Sequence, residues 1–321
     1  MQISDQLGEL AGRDSATNRW WVYQRERFPF AAHAPLIAAF SFSAISYSSL
    51  IRGRVMLPSV AAATVAFLSA TLSFLQLRLA DELKDFDEDS RYRPYRPVPR
   101  GLIKLRELGC VWVATASFQL LLALLLRPFL AVLLVLVWIY LFLMSKEFFA
   151  KSWLKARPST YMWTHMLIMP LIDFYTTACD WLVAGVRPPD GLIWFLLVSF
   201  FNGMVIEIGR KIRSPHDEEP GVQTYTFLWG RRGAVTAWIA TLLATTFFAW
   251  LAADRIGFGR PVLSLLGPLL SAATGFALYF LREPKAKRGR WFEAMSGIWS
   301  VLMYLSVGAV PLVLELFGVC L

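Results

Sequence analysis

The chain has 321 residues, 56% of them hydrophobic, with a mean hydropathy of +0.50 and a formal charge of +9. This composition excludes a soluble globular domain, because several apolar runs are long enough to cross the roughly 30 Å hydrocarbon layer of a bilayer as helices. The positive balance reads as a topology signal and an attraction to anionic membrane lipids, so no nucleic-acid partner is expected.

Residues 1–27 are polar and lack the apolar core of a cleavable signal peptide, which predicts a cytoplasmic N-terminal segment followed by one membrane domain over 28–321. The expected fold is all-α and polytopic, with about nine transmembrane helices around a central cavity. Charge, Pro or Gly bounds each span, at about 28–50, 58–80, 108–126, 128–145, 160–182, 191–209, 234–252, 262–281 and 292–316. Basic residues alternate with these spans. One side receives Arg13, Arg19, Arg25 and Arg27, then the clusters in 84–106, 146–157, 210–232 and 282–290; the other holds only Arg52, Arg54, Arg127, Arg187, Arg255 and Arg260. The alternation predicts an integral membrane protein of the inner or cytoplasmic membrane with a cytoplasmic N-terminus and an extracytoplasmic C-terminus. Cys110, Cys179 and Cys320 are scattered and odd in number, and His33, His165 and His216 are dispersed, which argues against a disulfide framework or a thiolate or histidine metal site.

After the second span stands "RLADELKDFDEDSRYRPYRPVPRG", residues 78–101. If the helix continues past the apolar run, Asp81, Asp85 and Asp89 fall at i, i+4 and i+8 on one face. Carboxylates gathered there repel one another unless a cation neutralises them, and all-oxygen ligands suit Mg²⁺. Arg93, Arg96 and Arg100 add forked donors that match phosphate oxygens, on an arm stiffened by Pro94, Pro97 and Pro99. The ordinary reading of such a run is a solvated loop of mutually paired charges. Its stiffness argues instead for a positioned metal and phosphate site.

These residues resemble the first motif of the UbiA-type intramembrane prenyltransferases, which include chlorophyll synthase and the archaeal ether-lipid prenyltransferases. That motif runs Asn-Asp-x-x-Asp-x-x-x-Asp and is followed by Pro-x-Arg-Pro-x-Pro-x-Gly. Here Asp81 takes the Asn place, Glu82 the first Asp, and Asp85 and Asp89 the next two, with Pro94, Arg96, Pro97, Pro99 and Gly101 in register. The resemblance implies a helical bundle that binds Mg²⁺ and an isoprenyl diphosphate at its cytoplasmic mouth, with Asp81, Glu82, Asp85 and Asp89 as metal ligands. Asp for Asn and Glu for Asp keep oxygen ligands and add one negative charge.

Tyr140 and Lys146 look like the family's Tyr and Lys at the end of the fourth span, without the prolines usual between them. Lys146 either binds diphosphate as a point charge or snorkels at the interface beside Glu147. After the sixth span, "EIGRKIRSPHDEEPGVQTY" keeps the second acidic motif only in part: Asp217 matches its last Asp, while Arg210 and Arg213 stand at the earlier acidic places. Either Glu207 and Asp217 hold a second Mg²⁺, or Arg210, Lys211 and Arg213 grip the diphosphate directly; the expectation is a mixture, with Glu207 and Asp217 as ligands. In the fifth span, Asp173 either orients or deprotonates an acceptor or bonds a neighbouring helix, with Asn202 as a partner.

The function expected is a Mg²⁺-dependent prenyltransferase that ionises an isoprenyl diphosphate and transfers the prenyl group to an acceptor that the sequence does not name. A terpene cyclase on the same scaffold and a non-enzymatic transporter or adaptor are the rivals. The alternation of basic loops generates one topological prediction: cysteines introduced near Arg93 and Glu218 are labelled by an impermeant reagent from the same, cytoplasmic side. Labelling from opposite sides would separate the two charged loops and end the two-motif site.

Overall fold

The computed structural model describes residues 18–318, and Arg13 and Cys320 lie outside them. Every regular element among the described residues is helical. Helix α1 (Arg19–Arg27), capped by the Asn18 side chain, leads into α2 (Phe30–Ile51), and α3 (Val60–Lys84) returns. A break at Asp85 separates α3 from α4 (Phe86–Tyr92). There follow α5 (Leu105–Leu126), α6 (Leu130–Ser145), the short α7 (Lys151–Lys155), α8 (Pro158–Met166), α9 (Ile168–Trp181) and α10 (Leu192–Gly209). The chain ends with α11 (Tyr225–Asp254), α12 (Gly259–Arg282), α13 (Gly289–Tyr304), a π-helical turn at Leu305–Ala309, and α14 (Val310–Leu316).

Helices that follow one another pack side by side: α3 on α5, α5 on α6, α6 on α9, α9 on α10, and so on through α11 and α12 to α13. The ring closes where α13 and the π-helical turn meet α2, which also packs on α3 and α9. Inside, Phe40, Tyr47, Phe195, Trp238 and Trp299 are fully buried. The outer helices α5 and α12 stay largely uncovered, with Leu121, Leu124, Leu125 and Leu278 facing outward, as a surface solvated by lipid requires.

Of the spans expected from sequence, seven are helices long and apolar enough to cross a bilayer: α2, α3, α5, α10, α11, α12 and the continuous stretch Gly289–Leu316. This is the architecture of an integral membrane protein. The expected fourth span is the shorter α6, of 16 residues, and the expected fifth is divided at Leu167 into α8 and α9. Pro170 accounts for the division. It has no N–H to give and its ring crowds the carbonyl four residues back, at Met166, where α8 stops.

Two glycines set the charged end of the bundle. Gly230, at φ 70°, takes a left-handed conformation that turns Tyr225–Trp229 away from the long apolar part of α11. Gly209 lets the end of α10 approach α11 and α13, since a Cβ there would lie 2.1 Å from Ser296 Oγ, and that hydroxyl already accepts from Trp238 Nε1 and donates to the Val205 carbonyl. The last turn of α10, with Glu207, is thereby fixed against its neighbours.

Candidate active site

The acids and bases that end α3 have separate destinations. Glu82 turns towards α1 and pairs with Arg27, both side chains nearly out of water. Glu26 pairs with Arg100 at 2.9 Å, so two acid–base pairs fasten α1 to the first motif, and Arg19 ties the same helix to Glu107 of α5 at 2.7 Å. Asp89, buried in α4, takes Arg93 at 2.8 Å and Arg96 at 2.6 Å. Arg100 also donates to the Tyr95 carbonyl at 2.7 Å. The arginines expected on diphosphate are thus engaged with this chain's own acids and carbonyls, and they brace the proline-rich arm.

Asp81 and Asp85 differ. Helical bonding persists across the break, with the Asp85 N–H on the Asp81 carbonyl at 2.9 Å and the Asp89 N–H on the Asp85 carbonyl at 2.8 Å. The Asp81 carboxylate stands 3.7 Å from Lys84 and 4.0 Å from Arg78, too far for hydrogen bonds. The Asp85 carboxylate makes no hydrogen bond or ion pair among the described residues. Burial, followed by the fields of Asp81, Asp89 and Glu88, pushes the Asp85 carboxyl above the ordinary aspartate value, against the pull of Lys84.

The second charged loop faces these acids. At the end of α10, Glu207 is buried, with Oε2 held by Arg210 Nε at 2.7 Å and Nη2 at 2.5 Å and Oε1 held by Lys211 Nζ at 2.7 Å. Glu207, and after it Asp81, raises the already high pKa of Arg210, which lies outside the span. Asp81 and Arg210 therefore lie within each other's field, as do Arg210 and Arg78. Lys211 also sits 5.5 Å over the Tyr225 ring.

Lys84 and Tyr161 were not singled out as site residues from sequence, whereas His165 was, beside Asp173, as an ionisable group in the fifth span. The Lys84 ammonium donates to the Tyr161 hydroxyl at 2.8 Å, and the Tyr161 ring stacks on His165 at 3.8 Å. His165 Nδ1 lies 2.8 Å from the Tyr161 carbonyl; a carbonyl only accepts, so Nδ1 carries the proton and Nε2, buried and unpartnered, keeps its lone pair if the ring is neutral. Arg78 and Lys84 stand one turn either side of Asp81, a spacing visible in the sequence; their meeting with Tyr161 and Arg210 is not.

Other expected residues lie apart. Asp217 accepts the Lys287 N–H at 2.7 Å and lines a separate polar pocket of about 440 Å³ with Arg213, His216, Glu218, Arg290 and Glu293. Glu207 is not among the residues that line this pocket. The Tyr140 hydroxyl donates to the Thr164 carbonyl at 2.6 Å and ties α6 to α8, while Lys146 is exposed at the end of α6. Asp173 is fully buried; Ser199 donates to it at 2.8 Å and also meets the Tyr304 hydroxyl at 2.8 Å. Its direct partner is thus Ser199, and Asn202, one turn along α10, bonds Ser300.

Among the described residues no group of three His, Cys, Asp or Glu side chains stands ready to hold a metal ion. Mg²⁺ does not require one, because it is usually bound by one or two carboxylates together with water and substrate phosphates. Asp81 and Asp85 fit that habit: neither carboxylate accepts a hydrogen bond among the described residues, they lie one helical turn apart, and a cation relieves the repulsion felt at Asp85. Glu82, Asp89 and Glu207 already have cationic partners.

The helices form a closed bundle with charged residues of the loops after α3 and α10 within one another's field at one end. Residues 35–301 match the UbiA prenyltransferase family, and the chain belongs to that family. The fold is shared with a UbiA homolog from Aeropyrum pernix K1 in its apo form, at a TM-score of 0.66 and 13% identity over 88% of this chain and 98% of the other. It is also similar to a digeranylgeranylglyceryl phosphate synthase, at a TM-score of 0.55 and 16% identity over 92% and 99% of the two chains. A UbiA homolog from Archaeoglobus fulgidus bound to GPP and Mg²⁺ aligns at a TM-score of 0.54 and 15% identity over 89% and 99%. No curated protein sequence matches the chain.

The buried Arg27–Glu82 pair generates a stability prediction. Arg27→Met leaves a buried carboxylate without its partner and lowers unfolding stability by about 3–5 kcal/mol, whereas the double variant Arg27→Met/Glu82→Leu recovers most of the loss. Denaturation of the purified protein in lipid measures both. A single variant as stable as wild type would mean that α1 is not anchored through this pair.

Proposed function

We propose that this protein is a Mg²⁺-dependent membrane prenyltransferase that takes an isoprenyl diphosphate at its charged end and passes the prenyl group to an acceptor. The observation that carries the reading is that Asp81, one turn from Asp85, has Lys84 at 3.7 Å and Arg78 at 4.0 Å and lies in the field of Arg210, which Glu207 joins to Lys211: four cations of the kind a diphosphate would need. The charged end is read as cytoplasmic, from the basic-residue alternation, and 28–321 as one catalytic domain to which α1 is fastened. The register from Asp81 through Gly101 favours the chlorophyll synthase and ether-lipid branch of the family, and the similarity to a digeranylgeranylglyceryl phosphate synthase supports it at the level of fold.

Asp81 and Asp85 would hold the metal ion. Bound there, Mg²⁺ supplies positive charge to the oxygens that become negative as the allylic carbon–oxygen bond breaks. Arg210 and Lys211 orient the diphosphate and take up the same charge, and Lys84, steadied by Tyr161, adds a further cation beside Asp81. Aromatic rings of Tyr161, Tyr225 and Trp229 wall the site and keep water from the carbon that becomes electron-poor. Asp173 is read as the helix-bonding residue rather than the base, because its packing with Ser199 and Tyr304 is complete on one oxygen and closed to solvent.

Two measurements on the protein in lipid test this. With Mg²⁺ and an isoprenyl diphosphate, pyrophosphate release stays low until an acceptor pool is added; release without acceptor, with a cyclic product, would favour a terpene cyclase instead. Asp85→Asn loses at least a hundredfold in turnover, yet at pH 7 without Mg²⁺ it is no less thermostable than wild type. The sign follows from the raised pKa: protonated Asp85 suits the fold at low pH, and that advantage is lost as pH rises above the ordinary 3.8 and through the higher folded value. Asp85→Asn activity within about threefold of wild type would remove Asp85 from the site.

A further inference from the structure

Both oxygens of Glu207 are taken by Arg210 and Lys211, and Asp217 is turned to the Lys287 backbone beside a different pocket. A second divalent cation at Glu207 would therefore have to displace two cations already bound to it at hydrogen-bonding distance, and among the described residues no group of three acids, histidines or cysteines stands ready to receive one. Resting on the function proposed above, we infer that this protein uses a single divalent cation, at Asp81 and Asp85, and that Arg210 and Lys211 stand where a second would act, as a fixed cationic clamp on the diphosphate. Glu207 is the positioning residue of that clamp.

Charge balance supports the same count. Four cations, Arg78, Lys84, Arg210 and Lys211, face three carboxylates, Asp81, Asp85 and Glu207, which leaves one net positive charge. An isoprenyl diphosphate carries about three negative charges near neutral pH, so one divalent cation brings this group close to neutrality and a second would leave it about two charges positive. The clamp is also formed before substrate arrives. Glu207 binds Arg210 through Nε and Nη2, leaving Nη1 and its protons for phosphate, and it binds Lys211 through one of the three ammonium protons. A guanidinium held in this way loses little freedom on meeting an oxyanion, which favours Arg over a mobile chain. The spacing i, i+3 and i+4 keeps all three groups on one turn of α10 and its cap.

The test counts metal ions on the full-length protein in lipid, with Mn²⁺ as the probe read by electron paramagnetic resonance and inorganic pyrophosphate as the anion read by calorimetry. Wild type binds one Mn²⁺ per chain in the presence of pyrophosphate. Glu207→Gln keeps that single Mn²⁺ and its affinity, but pyrophosphate binding weakens by roughly ten- to hundredfold, and Arg210→Lys retains more of it than Arg210→Ala. Arg210→Asp removes a clamp arm and adds a carboxylate one turn from Glu207, and the count rises to two. Thermal midpoints of all variants, taken alongside, report folding, and Arg210→Lys tests the clamp even where Ala or Asp is poorly folded. Two Mn²⁺ per wild-type chain, falling to one in Glu207→Gln, would overturn the inference and leave the prenyltransferase reading intact. No binding of either probe to folded wild-type protein would overturn both.

Discussion

The charged end of this bundle depends on three buried acids, Glu82, Asp89 and Glu207, that each take cations of their own. Glu82 finds Arg27, Asp89 finds Arg93 and Arg96, and Glu207 finds Arg210 and Lys211. Each pair also joins parts of the chain, so the same contacts that neutralise charge fix α1 to α3, the proline arm to α4, and the clamp to α10. What these pairings leave over is informative. Asp81 and Asp85 have no cation at hydrogen-bonding distance, and Asp81 stays partly exposed with Lys84 at 3.7 Å and Arg78 at 4.0 Å.

Position follows from packing. Gly209 allows α10 to press on α11 and α13, and the ring of neighbours from α3 round to α13 closes on α2, so the ends of α3 and α10 face each other across the bundle's charged end. In lipid such a bundle gains little from the hydrophobic effect between helices and relies on close packing and interhelical hydrogen bonds. The chain supplies both: Gln119 bonds Gln76 at 3.1 Å and the Ser69 carbonyl at 2.9 Å, Ser199 joins Asp173 to Tyr304, and Trp238 meets Ser296 at 3.0 Å. A rigid frame of this kind suits chemistry in which a reactive carbon must be kept from water.

Much of this was legible in the sequence, and the reasons are local. Apolar length gave the membrane helices, the register from Asp81 to Gly101 gave the family, and the i, i+3, i+4 spacing of Glu207, Arg210 and Lys211 already contained their ion pairs. The division of the fifth span was also written in Pro170, although apolar length alone suggested one helix. Illegible were the pairings across distance: Arg27 with Glu82, 55 residues apart, and Lys84 with Tyr161, 77 apart. No periodicity connects such residues, because their meeting depends on how helices are arranged round the ring. For the same reason the sequence treats the acids of the first motif as equivalent, whereas the fold commits Glu82 and Asp89 to arginine and leaves Asp81 and Asp85 open.

In the proposed function, Asp81 and Asp85 and the cations after α10 belong to one metal and diphosphate site. A structure of the protein with Mn²⁺ and an isoprenyl thiolodiphosphate, which resists ionisation, tests it most directly through the anomalous signal of the metal. The account predicts one Mn²⁺ peak between Asp81 and Asp85, with the diphosphate bridging from it to Arg210 and Lys211. A diphosphate seated in the pocket beside Asp217 and Arg290, or a metal peak remote from Asp81 and Asp85, would contradict it.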